Sequence, residues 1–143
     1  MKIAIVQRTA LYDDLEGSVQ LAIEIMQEAK SEGAVLIIFG ECWLCGYPAW
    51  IDHAKEYTRW DDPVTKSVFA RMHSNSMAIG SGLWEKLFKA SGELGVCVCL
   101  GMNEIDSHST GTIYNSVVII DNGDLKLHHR KLMPTYTEKL LYG

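Results

Sequence analysis

An α/β fold built on a mixed sheet follows from three features of the sequence. Two short apolar runs, Ile3 to Val6 and Val35 to Phe39, flank an amphipathic segment. A second amphipathic segment precedes the run Val96 to Met102. Ile113 to Ile120 then runs straight into Asp121-Asn-Gly-Asp124 and a further strand-like stretch, the pattern of a tight hairpin. The first two features predict parallel strands joined through helices, and the third adds antiparallel strands.

Taken in order, Ile3 to Val6 and Val35 to Phe39 are continuous rather than alternating, the pattern of strands covered on both faces. Between them Val19, Ala22, Ile23, Met26 and Ala29 recur at helical spacing, with Ser18 as the expected N-cap and Gly33 as the left-handed residue past the end. The three segments form one βαβ unit, for which a right-handed crossover is expected. Residues 49–80 carry scattered apolar positions and Pro63 without a clean period; a helix over Val64 to Met72 is expected there, and the stretch is expected to roof a site. Leu83, Trp84, Leu87, Phe88 and Leu94 predict a second helix that ends near Gly95 and feeds the strand Val96 to Met102. Asn103 to Gly111 reads as a polar loop, and Ile113 to Ile120 pairs with Leu125 to His129 across the hairpin. No linker, repeat or low-complexity tract divides the chain, so one domain is expected.

With 143 residues, 48% of them hydrophobic, the chain can bury roughly two-thirds of its unfolded surface in an ordinary core. Thirteen Lys+Arg against eighteen Asp+Glu give a net charge of −5 and no basic stripe, which argues against a nucleic-acid partner. The apolar run Ala34 to Phe39 falls far short of the ~20 residues of a membrane span, and Met1 to Val6 is too short for a secretory signal core. A cytoplasmic protein without membrane contact is expected. The four cysteines, Cys42, Cys45, Cys97 and Cys99, read as free thiols in a reducing compartment.

The chemistry concentrates in two segments, Phe39 to Pro48 and His128 to Glu138. Glu41 lies just past the carboxyl end of the second strand, where open α/β sheets gather ligands. Its turned, apolar surround of Gly40, Trp43, Gly46 and Pro48 is expected to raise its pKa toward the range of a general base; the alternative is a solvated loop carboxylate or a helix-cap partner. Lys131, between the hairpin and Pro134, is either a surface lysine or a fixed ammonium that stabilises developing negative charge. Glu138 is either a surface residue or the group that holds that ammonium or supplies a proton. Cys42-x-x-Cys45 has the spacing of a redox or zinc half-site, but Cys97-x-Cys99 is not the matching half, so core packing without metal is expected of both pairs. His128 and His129, beside Arg130 and Lys131, are expected to orient neighbouring groups rather than act as a base.

Both segments resemble the nitrilase superfamily, the carbon–nitrogen hydrolases, and within it the nitrile-hydrolysing branch. Gly40-Glu-Cys-Trp-Leu-Cys-Gly-Tyr-Pro-Ala-Trp-Ile-Asp52 is similar to the segment around that family's base glutamate, and His129-Arg-Lys-Leu-Met-Pro-Thr-Tyr-Thr-Glu138 to the segment around its lysine. The likeness extends to Met1 to Val6, Gly101 to Glu104 and Tyr114 to Ser116. It implies half or most of an αββα sandwich and a Glu-Lys-Cys triad whose thiolate attacks a nitrile carbon or an amide carbonyl with no cofactor and no metal. By the same resemblance Glu41 is the base, Lys131 stabilises charge, Glu138 supports the lysine or transfers protons, and Tyr47, His129, Thr135 and Tyr136 line or support the pocket. A small nitrile or amide as substrate and a homo-oligomer, dimer or larger, are implied too.

The family's nucleophilic cysteine lies in a Cys-Trp-Glu-type segment beyond the lysine motif, and none of the four cysteines here matches it. Residues 1–143 are therefore expected to be the N-terminal part of such a domain, lacking the half with the nucleophile and leaving sheet edges and apolar faces exposed. Two other readings stand beside this one. One is a truncated, inactive half that binds a partner through an exposed sheet or helix face. The other is a thiol redox protein on Cys42-x-x-Cys45, which leaves the lysine and glutamate motifs without a purpose.

Overall fold

A computed structural model of the chain describes residues 1–53 and 61–143. The strand β1 (Ile3–Ile5) is followed by helix α1 (Leu15–Ser31), strand β2 (Leu36–Ile38), helices α2 (Trp50–His53) and α3 (Pro63–Ser74), and strand β3 (Met77–Ala78). Helix α4 (Gly82–Leu94), strands β4 (Cys97–Ile105), β5 (Ile113–Asp121) and β6 (Asp124–Arg130), and a 3-10 turn, Tyr136–Leu140, complete it. Strands β1, β2 and β4 are parallel, β5 and β6 antiparallel, in the order β1-β2-β4-β5-β6. The mixed α/β architecture is the one the sequence predicts.

The hairpin turn forms as expected because Asn122 and Gly123 both adopt positive φ, 51° and 84°, which a two-residue turn between twisted strands requires. Gly95 ends α4 at φ 60°, and Gly33 follows α1 at φ 85°. The start of α1 differs from expectation. Asp14, not Ser18, is its N-cap and accepts from the Gly17 N–H, while Ser18 is buried inside the helix and exchanges hydrogen bonds with the Leu11 backbone. Ile25 rather than Ile23 completes the buried stripe. The expected helix over 64–72 forms as α3, with Pro63 in its first turn and Asp62 as the cap; α2 and β3 were not expected. The part of the expected roof that falls on residues 54–60 lies outside the described residues.

Helices α1 and α4 pack on one face of the sheet, where Ala4, Ile37, Val98, Leu100, Val118 and Ile120 meet Val19, Met26, Trp84 and Leu87. The expectation that β1 and β2 are covered on both faces is overturned: among the described residues α1 and α4 cover one face of these strands, and Ile3 and Ile5 on the other are exposed. For the same reason Cys97 and Cys99 are not core residues. They share a face, as alternation demands, but it is the one opposite Val98 and Leu100, and both are partly exposed.

Strand β4 is longer than expected. Asn103 and Glu104, read as loop, continue the strand and are fully buried, because each finds hydrogen-bond partners for its polar atoms. The extra length has a consequence for the site. β2 pairs with Cys97–Cys99 and β3 with Glu104–Ile105, so the same edge of β4 is open between them. The loop after β2 fills that gap: Leu44 donates to the Gly101 carbonyl at 3.1 Å and forms a parallel bridge with Met102.

Candidate active site

The loop that fills the gap carries Glu41. Gly101 makes the approach possible, since a Cβ there would lie 2.3 Å from the Gly40 carbonyl oxygen and 2.8 Å from the Glu41 Cα. The Trp43 indole N–H donates to the Arg8 carbonyl at 2.7 Å, tying the loop also to the chain leaving β1. Cys42 and Cys45 hold positive φ, 49° and 77°, and turn the loop sharply. Both thiols are buried, as expected, and burial pushes each up to about 12. They are packing residues, protonated at neutral pH.

Lys131 arrives at the same end of the sheet from its opposite edge, just past β6. Its backbone N–H donates to the Asn115 carbonyl at 2.8 Å, continuing the β5–β6 ladder one residue past β6. Its ammonium donates to Glu41 Oε1 at 2.8 Å and lies 3.1 and 2.9 Å from the two carboxylate oxygens of Glu138. Glu41 and Lys131 are ninety positions apart in the chain. Glu41 is 54% exposed along its side chain and Glu138 only 2%. One ammonium thus bridges a buried carboxylate and an accessible one.

The electrostatics correct one expectation. Glu41 is held below the usual carboxylate range, not raised, because the hydrogen bonds from Lys131 and from Asn115, the latter at 2.7 Å, favour its charged form more than burial opposes it. Burial acts against ionisation of Glu138, but the Thr135 N–H, at 2.5 Å, Lys131 and Tyr47 outweigh it and hold that carboxyl low as well. The two carboxylates raise the Lys131 ammonium above the ordinary lysine value, Glu41 foremost. Burial, then the hydrogen bond to Glu138, pushes Tyr47 up to about 12. At neutral pH the cluster is two carboxylates, one ammonium and a neutral phenol.

Of the sequence-derived residues the structure brings together Glu41, Lys131, Glu138, Tyr47 and the Thr135 backbone. His129 lines, with Glu41, Lys131, Val117 and Leu132, a cavity of about 340 Å3 on the face of the sheet opposite α1 and α4. Tyr136 does not join them. It is 84% exposed at φ 44° in the turn that presents Glu138. His128 is turned to the opposite face, 2.7 Å from Glu104. Asn115 was missed as a site residue, although a polar Asn-Ser pair inside an otherwise apolar strand was a legible signal.

The chain belongs to a hydrolase family: the family model described as carbon-nitrogen hydrolase matches residues 2–143. Among curated proteins the chain is 35% identical over 143 residues to an arylacetonitrilase of Fusarium vanettenii, covering 100% of this chain and 40% of that protein. It is 33% identical to a cyanide hydratase of Neurospora crassa, covering 99% of this chain and 38% of the relative. The fold matches a solved mutant of the Nesterenkonia AN1 amidase from the nitrilase superfamily with a TM-score of 0.68 at 18% identity, over 100% of this chain and 47% of that one. The chain therefore spans about 40% of the length of the curated relatives named here.

Proposed function

We propose that this chain supplies the base and charge-stabilising half of a nitrile-hydrolysing active site, with Glu41, Lys131 and Glu138 in the working roles and the nucleophilic cysteine contributed from outside these 143 residues. The observation that carries the reading is the single ammonium of Lys131 held between an accessible and a buried carboxylate. Residues 1–143 are on this reading the N-terminal part of the catalytic domain. The sequence relatives favour a nitrile over an amide.

The geometry supports a definite division of labour. Glu41, ionised and opening onto the cavity, accepts the proton of an incoming thiol; the thiolate attacks the nitrile carbon and a thioimidate forms. Lys131 sits where negative charge grows on the nitrile nitrogen and donates hydrogen bonds to it. Water then adds, ammonia leaves with a proton relayed through the Glu41–Lys131–Glu138 cluster, and a second water releases the carboxylic acid. Glu138, buried and bonded by Thr135 and Tyr47, keeps the ammonium in place throughout. The same proposal places the protein in the cytoplasm as a homo-oligomer.

The test is ammonia release from aliphatic and aromatic nitriles by the protein expressed from its full native reading frame, beside residues 1–143 alone. The short chain is expected to be inactive and the full protein active. Glu41→Gln and Lys131→Ala should each cost on the order of a thousandfold in kcat with folding intact, and Lys131→Arg should fail too, since a planar guanidinium does not replace a compact ammonium. Turnover by the short chain, or an active Lys131→Ala variant, would overturn the assignment.

A further inference from the structure

Behind the charged cluster runs a second, uncharged chain of side chains that the proposed chemistry does not use. Tyr142 is buried beneath the turn that presents Glu138, and its hydroxyl donates to Asn103 Oδ1 at 2.7 Å. The Cys42 thiol lies 3.4 Å from the same hydroxyl; with the phenol proton committed to Asn103, the thiol is the donor. The Asn103 amide donates onward to the Gly46 carbonyl at 2.9 Å. Cys42 and Asn103 are fully buried, and each of these three links is satisfied.

The chain joins three segments that no regular element joins. Cys42 follows Glu41 directly and Gly46 closes the same loop; Asn103 is on β4; the Tyr142 N–H donates to the Glu138 carbonyl at 2.9 Å. The backbone of each carboxylate's segment is anchored separately, the Glu41 loop on Gly101 and Met102 of β4 and the Glu138 turn through Gly143 on Ile113 of β5. Beside the Tyr47–Glu138 hydrogen bond, the side-chain chain is a second and buried link that constrains the distance between the two segments. A purely apolar filling, such as Met72 and Ile113 provide beside it, would exclude water equally well but would not select one spacing.

We propose that Tyr142 is a positioning residue for the carboxylate pair: through Asn103 and Cys42 it fixes the spacing between the Glu41 loop and the Glu138 turn so that one ammonium reaches both. Its relevance to turnover rests on the proposed function, but the spacing itself does not. The charged groups facing Glu41 are Lys131 and Glu138. Loosening the clasp draws Glu41 away from Lys131, and the Glu41 carboxyl then rises toward its ordinary value.

The experiment uses Tyr142→Phe in the protein expressed from its full native reading frame, with Met72→Leu as the control that disturbs the same buried cluster without touching the hydrogen bonds. Tyr142→Phe is expected to lower kcat about tenfold with KM changed by less than about twofold, and to move the acid limb of kcat/KM to higher pH. Met72→Leu should lower the melting temperature and leave both untouched. Carbon-13 titration of the Glu41 carboxyl reads the same displacement without turnover, so an enzyme inactive on every nitrile would sink the proposed function and still leave the clasp testable. If Tyr142→Phe does not fold, Cys42→Ala removes only one end of the chain and is expected to shift the Glu41 titration in the same direction by less. An unchanged Glu41 titration in the folded variant, with only the melting temperature lowered, would overturn the proposal and leave Tyr142 a packing residue.

Discussion

Glu104 illustrates what a single residue does here and why sequence alone misplaces it. Its side chain is 0% exposed and accepts from Arg130 Nε at 3.0 Å, Arg130 Nη2 at 2.5 Å and Ser116 Oγ at 2.6 Å, with His128 Nε2 at 2.7 Å. Arg130 in turn lies 3.8 Å over the Tyr114 ring. Burial alone would raise this carboxyl, yet Arg130, then Ser116 and His128, hold it below the ordinary range. A carboxyl whose folded pKa is depressed contributes stability above its unfolded pKa and loses that contribution as the pH falls through the folded one. The melting temperature is therefore expected to fall steadily on acidification below about pH 4.5, and Glu104→Gln to flatten that decline. The variant should also lose about 2–3 kcal/mol at neutral pH, somewhat less than a fully buried pair would cost because Arg130 stays partly solvated; calorimetry and urea unfolding at both pH values check this. Read along the chain, Asn103 and Glu104 look like the start of a loop because polar residues seldom sit inside a strand. Their partners Arg130, His128, Ser116 and Tyr142 lie far along the sequence, and no local pattern announces them. Glu41 was misjudged for the same reason: its apolar neighbours in sequence suggest a raised pKa, while the group that decides it, Lys131, is ninety positions away.

At the scale of elements, what was legible is what local chemistry decides. The Asn-Gly turn, the glycine ends of α1 and α4 and the existence of both amphipathic helices follow from φ preferences and periodicity, and each forms. The cap at Asp62 with Pro63 in the first turn was also a local signal for α3, overlooked because the helix buries little apolar surface and shows no clean period. The loop of Glu41 is different in kind, since its course is set by the gap between β2 and β3 and by the absence of a side chain at Gly101. Gly101→Ala would press a methyl group against the Gly40, Glu41 and Cys42 backbone, none of which is a flexible side-chain end. The loop must lift from β4, at about 1–3 kcal/mol in stability, and the Glu41–Lys131 contact should open with it. Gly40→Ala, whose added Cβ meets nothing within 4 Å, should cost less than about 0.5 kcal/mol. Urea unfolding of the pair, with turnover measured alongside, distinguishes a steric demand at Gly101 from a general intolerance of the region; equal losses in both variants would refute it.

The whole molecule is asymmetric across its sheet. One face carries α1 and α4 and the main apolar core; the other presents Ile3 and Ile5 of β1, Cys97 and Cys99 of β4 and Leu127 of β6, with Ile5 73% exposed. The apolar character of this second face is why continuous runs such as Ile3 to Val6 read as doubly covered strands: the sequence records what such strands are built to contact, and among the described residues α1 and α4 cover β1 and β2 on one side. The cluster of Glu41 and Lys131 opens on the same side, so its environment is set by whatever borders that face. The four cysteines give a direct readout of the asymmetry. Cys42 and Cys45 are buried, pushed up to about 12, and are expected to stay unmodified, since a buried protonated thiol is a poor nucleophile. Cys97 and Cys99, partly exposed, should be alkylated first when the native 143-residue chain is treated with iodoacetamide at mildly alkaline pH and the adducts are mapped by mass spectrometry. Because alternation along β4 puts both on one face, they should be modified together and Cys42 and Cys45 only on unfolding. Early labelling of Cys42 or Cys45 would mean that the Glu41 loop leaves its place on β4 without global unfolding, and the preorganised carboxylate–ammonium cluster would then not persist in the native chain.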